Sequence, residues 1–160
     1  MQIKIADLSI RIENRHTYIE DLCEAYMEPE GAFDFAVSVT DADILAEDAG
    51  REHPGYAESL AVYRKIAEAI LEKDGFLLHG VVLDVDGRGV AFLAPSGVGK
   101  STHAARWLQI LGERATVING DKPLIRFTDG VPYAYGTPWA GKERLSKNGR
   151  TYTPFGHLFS

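Results

Sequence analysis

The chain has 160 residues, 45% of them hydrophobic, so it can bury a real core and is expected to form one domain. Its 17 Lys and Arg stand against 23 Asp and Glu, a net charge of -6 with no basic stripe, which argues against nucleic acid as a partner. With no signal peptide and no apolar run of membrane-spanning length, the expectation is a soluble, cytoplasmic protein without a membrane partner.

In chain order, residues 3–5, 9–12 and 33–39 have the pattern of short strands, with a helix around 19–26. The single cysteine, Cys23, lies in that apolar-periodic segment and reads as a small buried hydrophobe rather than a reactive thiol. Asp41, Asp43, Glu47 and Asp48 crowd the next stretch, which reads as a solvated loop, with a docking surface for a basic partner as the other reading. Tyr56, Leu60, Tyr63, Ile66 and Ile70 keep helical spacing, so a helix is predicted over 56–73, stopped by Asp74-Gly75.

Two strand-like runs follow, 76–85 and 89–93, separated by the turn signal Asp86-Gly87. The second run would therefore be one arm of an antiparallel hairpin rather than part of a parallel βαβ unit. It leads into Ala94-Pro95-Ser96-Gly97-Val98-Gly99-Lys100-Ser101, with a helix predicted directly after it. A further strand over 116–118 ends at Asn119-Gly120-Asp121. Then a second hairpin, 124–127 with 131–135, turns at Asp129-Gly130. The loop Gly136-Thr137-Pro138-Trp139-Ala140-Gly141-Lys142 comes next.

The glycine-rich octet carries the chemistry. Glycines at 97 and 99 tolerate positive φ and let successive backbone N–H groups converge on an anion. Lys100 can reach outer phosphates, the Ser101 hydroxyl can ligate Mg²⁺, and the following helix adds its positive N-terminal end. A nucleotide site over Ser96, Gly97, Val98, Gly99, Lys100, Ser101 and Thr102 is therefore expected, with ATP or another nucleoside triphosphate and Mg²⁺ as cofactors. Asp121, at the end of the next strand, can approach that metal or accept a proton from an attacking hydroxyl; a solvated turn aspartate is the alternative. Lys122 reads as a surface lysine. His79, taken alone, reads as a satisfied core histidine.

The order His79-Gly80-Val81, Asp86-Gly87-Arg88-Gly89-Val90, Ser96 to Thr102, Asn119-Gly120-Asp121-Lys122-Pro123 and Gly136 to Lys142 resembles the catalytic domain of HPr kinase/phosphorylase and its kinase-like relatives. Those relatives share a nucleotide core with ATP-dependent phosphoenolpyruvate carboxykinase. The resemblance spans about residues 56–158. It implies an α/β fold: a carboxykinase-like P-loop core with a mixed sheet and antiparallel hairpins over 56–160, and a small N-terminal α+β region, 1–55, packed on it. It also implies that Lys100 and Ser101 are the phosphate-binding lysine and the Mg²⁺-binding hydroxyl, that Asp121 is the catalytic base or metal-linked acid, and that His79 lies close to the transferred phosphate. The 136–142 loop would border the acceptor side of the cleft.

Two departures shape the expected function. The family carries two adjacent acids where this chain has Gly120-Asp121, and its members continue past this chain's last residues, so the downstream basic residue and C-terminal helices are not included. Residues 154–159 read as another core strand, and an open strand edge would favour a homo-oligomer. The leading expectation is an ATP- and Mg²⁺-dependent phosphotransferase acting on a hydroxyl, such as a serine of a small protein or peptide. The alternative is a catalytically weak nucleotide-binding regulatory or interaction module. A carboxykinase-like enzyme for a small carboxylic acid is a third, weaker reading.

Overall fold

A computed structural model of the chain describes residues 1–48, 50, 53–95, 97–141, 146, 149–152 and, by backbone, 158–159. The fold is mixed α/β with mixed sheets, and the chain divides into two compact units, Met1–Lys73 and Asp74–Ser160. The long helix expected at the start of the second region thus falls with the N-terminal unit, and the division lies after Lys73 rather than after residue 55. Its apolar face explains this, because it packs against elements that precede it.

In the first unit, β1 (Gln2–Ile5) and β2 (Leu8–Glu13) pair antiparallel, and β3 (Phe35–Ser38) runs parallel to β2. The β1–β2 turn places Ala6 and Asp7 at φ 54° and 60°. Helix α1 (Tyr18–Cys23) continues into a 3-10 turn, Glu24–Tyr26, over the segment read as one helix. Cys23 is fully buried there, and burial pushes its thiol up to about 12, which keeps it protonated and unreactive.

The acidic stretch is a correction. Asp41–Glu47 forms helix α2, not a loop, because Thr40 and Asp43 make a reciprocal capping box: the Asp43 N–H donates to Thr40 Oγ1 at 3.2 Å and the Thr40 N–H to Asp43 Oδ2 at 2.9 Å. The acids are also partnered. Asp41 pairs with Arg15, Glu47 with Arg64 at 2.9 Å, and Asp43 with Lys65 at 3.4 Å.

Helix α3 (Pro54–Ala69), extended by a 3-10 turn at Ile70–Lys73, packs on α1, α2 and β3. Its Glu58 is fully buried yet satisfied. The carboxylate accepts from the Arg15 N–H at 2.6 Å and the His16 N–H at 2.9 Å, with His16 Nδ1 at 3.1 Å, so a charge inside the unit anchors the end of β2.

The second unit is one mixed sheet in the order β4-β8-β9-β10-β6-β5-β7. Its strands are β4 (Gly75–Leu77), β5 (Val81–Val85), β6 (Arg88–Phe92), β7 (Ala115–Asn119), β8 (Leu124–Thr128), β9 (Val131–Tyr135) and β10 (Arg150–Tyr152). A further strand, β11 (Leu158–Phe159), lies parallel to β6, so part of the 154–159 segment is a strand; residues 154–157 lie outside the described residues. The single run read over 76–85 is two strands, interrupted at Leu78-His79-Gly80. Both hairpins form where expected, with positive φ at Asp86-Gly87 (51°, 82°) and Asp129-Gly130 (53°, 75°).

Helix α4 (Lys100–Leu111) lies on one face of the sheet, where Val81, Leu83, Phe92 and Ala104 form a buried cluster. The other face gathers Val82, Ala91, Ile118, Ile125 and Ala134. With both faces covered, β5 is apolar at consecutive positions rather than alternating. At the far end of β5–β6, the Arg114 guanidinium grips the turn residue Asp86 and holds its carboxyl below the usual carboxylate range. Among the described residues no helix is long and apolar enough to cross a membrane.

Loss of the α2 cap should be measurable. Thr40→Ala is expected to lower stability by roughly 1 kcal/mol in urea unfolding at neutral pH. The Thr40 backbone and side-chain bonds hold Asp43 down at about 2; the variant keeps the first and loses the second, so the part of the difference that comes from the hydroxyl donating to Asp43 is present above pH 4 and is lost as pH falls toward 2, and the gap between wild type and variant should narrow over that window. A pH-independent difference would show that the Thr40 hydroxyl does not stabilise the Asp43 carboxylate.

Candidate functional site

Strand register assembles the site. Val81 pairs with Phe92 across β5–β6, and Val82 with Asn119 across β5–β7. Because β5 runs antiparallel to both neighbours, β6 and β7 run the same way, and the chain leaves both of them at the edge where it enters β5. Three connectors open there: the glycine-rich loop after β6, His79-Gly80 before β5, and Gly120-Asp121 after β7.

Gly80 ties the three together. Its N–H donates to the Asp121 carbonyl at 2.9 Å, and the Leu78 N–H donates to Pro123 O at 3.0 Å. A Cβ on Gly80 would stand 2.8 Å from the Phe92 carbonyl and 2.5 Å from Leu93 Cδ2. Only a residue without a side chain lets the strand carrying the loop and the strand carrying Asp121 sit against the same short connector. Beside it, His79 Nε2 lies 3.3 Å from Asp121 Oδ1, with the imidazole side chain half exposed and the carboxylate less so. His79 is therefore not a core histidine: it stands in the break between two strands and faces a carboxylate.

The glycine-rich loop has the geometry its composition suggests. Gly97 and Gly99 take φ of 87° and 96°, and nothing lies within 4 Å of where a Cβ would be at either, so the space beside them is open. Gly99 is the N-cap of α4, and the His103 N–H donates to its carbonyl. Lys100 folds back over the loop, its Nζ donating to Ala94 O at 2.7 Å and Pro95 O at 3.2 Å. Both of these partners are neutral carbonyls, which an anion would outcompete. Val98, Ser101 and Thr102 are exposed at the same end of the helix. Ser96 lies outside the described residues, as does Lys142.

These residues fit a polyphosphate: open glycines, a helix of 12 residues starting at the loop, and an ammonium within the loop. For a cation, Ser101 and Asp121 remain the candidate ligands. No group of three His, Cys, Asp or Glu side chains among the described residues could hold a metal, so phosphate oxygens would have to complete its shell.

Asn119 and Thr137 were not singled out by sequence reasoning. The β5–β7 register slips by one residue between Val82 and Leu83, and both Ile118 and Asn119 are buried beside the slip. Asn119 Oδ1 accepts from the Asp121 N–H at 2.9 Å and the Lys122 N–H at 2.7 Å. Its Nδ2 donates to Thr137 O and Oγ1, both at 3.1 Å, and Thr137 Oγ1 donates to Lys122 O at 2.8 Å. The signal in the sequence was the Asn-Gly-Asp turn itself, since an asparagine commonly bonds the backbone two residues on. The 136–142 loop meets Asp121 a second time: Gly141, at φ 76°, would place a Cβ 3.1 Å from Asp121 Cβ.

No protein-family model matches the chain, and no curated protein is similar to it.

Gly80→Ala should be costly despite its small size. The added methyl meets backbone at Phe92, so a loss of about 2 kcal/mol is expected in chemical unfolding. A variant as stable as wild type would show that the three connectors do not depend on this close approach.

Proposed function

We propose that the second unit is a P-loop nucleotide-binding core of the HPr-kinase and carboxykinase-like type, and that it transfers a phosphoryl group from Mg-ATP to a hydroxyl, such as a serine of a small protein or peptide. The observation that carries this reading is the shared edge: one short connector, His79-Gly80, touches both the exit of the strand that leads to the glycine loop and the backbone of Asp121. An anion cradle with no carboxylate beside it would suit simple phosphate binding. An anion cradle opening on the same edge as a carboxylate–imidazole pair suits transfer to an acceptor that must lose a proton.

Bound Mg-ATP would supply the phosphoryl group. The backbone N–H groups of 97–101 and Lys100 would bind its phosphates, and the Ser101 hydroxyl would face its cation. Asp121 would take the acceptor's proton, held in place by His79 Nε2 at 3.3 Å. The second reading, a nucleotide-binding module with little turnover, is favoured by Gly120, which leaves Asp121 without the neighbouring acid of the family it resembles.

Calorimetry with Mg-ATP and phosphate transfer from γ-labelled ATP to serine-containing peptides and proteins of the host distinguish the two. The expected result is binding that Lys100→Ala weakens by at least about tenfold, and transfer that Asp121→Asn lowers by roughly 10²–10⁴-fold with affinity nearly unchanged. Binding without transfer in the wild type and in Gly120→Asp would establish the module instead. No binding at all would overturn both.

A further inference from the structure

We infer that Asn119 and Thr137 are positioning residues that set the Asp121 carboxylate against His79. The inference rests on the reading of Asp121 as the carboxylate that meets the acceptor. Asp121 sits on a connector, where backbone freedom would otherwise let its side chain drift. Sub-ångström placement matters to proton transfer, so something rigid must hold it.

The asparagine amide is that element. It is fully buried at the end of β7, and its oxygen takes both the Asp121 and Lys122 N–H groups, which fixes two consecutive peptide planes. The amide is itself oriented from its other end, because Nδ2 can reach Thr137 O and Oγ1 only in one flip state. Thr137, also fully buried, closes the ring by donating its hydroxyl to Lys122 O. Every polar atom in this ring is neutral. It therefore holds the loop without adding a charge that would compete for the proton or the cation at Asp121.

Outside the ring, the Gly80 N–H donates to the Asp121 carbonyl and Gly141 comes so near that a Cβ there would crowd the Asp121 Cβ, so the backbone is restrained on both sides while the carboxylate faces His79. Thr137 belongs to the loop that follows β9, far along the chain from β7. The ring thus couples the order of that loop to the placement of the carboxylate.

Thr137→Val removes the hydroxyl at similar volume and is tested by amide exchange and by kinetics. Exchange at the Asp121 and Lys122 amides should quicken by about tenfold or more while β5 and β6 keep their protection. The kcat for phosphate transfer should fall by roughly 10–100-fold with KM for Mg-ATP within about twofold, and Thr137→Ser should restore both readouts. Unchanged exchange at 121 and 122, or lost protection with kcat intact, overturns the inference. If Thr137→Val does not fold, Thr137→Ser decides: wild-type exchange and kcat support it, and their loss refutes it. If the wild type transfers no phosphate, the proposed function fails while amide exchange still shows whether the ring holds the loop, and the positioning role falls with that function.

Discussion

The antiparallel pairing of β5 on both its sides is the constraint on which the second unit depends. In a parallel βαβ arrangement the strand entering a phosphate loop has its crossover helix and its next strand on a repeating path, and a histidine preceding that strand would lie at the opposite edge. Here β5 runs against both neighbours, so its beginning and the ends of β6 and β7 fall at one edge. The turn Asp86-Gly87, clamped by Arg114 at the far edge, fixes the hairpin that makes this happen. The register, not any single side chain, brings His79 to Asp121.

Much of this arrangement is legible in the sequence because it is written in local chemistry. Asp-Gly pairs mark both hairpins, helical spacing from Tyr56 to Ile70 marks α3, and the glycines at 97 and 99 mark the positive-φ positions before α4. What escapes is decided by partners distant in the chain. The acids from Asp41 to Glu47 look like solvated loop until Thr40 is seen to cap them, and their charge looks unpaired until Arg15, Arg64 and Lys65 are placed beside them. The run from Phe76 to Val85 is apolar on both sides of His79-Gly80, and a lone glycine inside a strand pattern signals a bulge or a close approach as readily as a break between two strands. That break follows from backbone bonds to Asp121 and Pro123, more than forty residues on.

Two of the buried polar side chains show how the chain manages polar groups inside. Glu58 spends a charge on the backbone of Arg15 and His16, and every oxygen is met, so it anchors rather than reacts. Asn119 does a similar job in the second unit with a neutral amide. The difference matters where it stands. A buried charge next to Asp121 would bias its protonation, whereas an amide fixes geometry without adding a charge there.

That division bears on Gly120, which leaves one carboxylate at the turn. With glycine at 120, this chain has a single carboxylate at the turn and must rely on placement. Asp121 is held through its N–H by Asn119 and through its carbonyl by Gly80, with Gly141 in close approach to its side, which is more restraint than a solvated turn residue receives. Such restraint costs conformational entropy and gives little back in stability, since the residue buries little apolar surface. An aspartate whose backbone is held this way, with its carboxylate facing an imidazole, is what the proposed phosphoryl transfer would require.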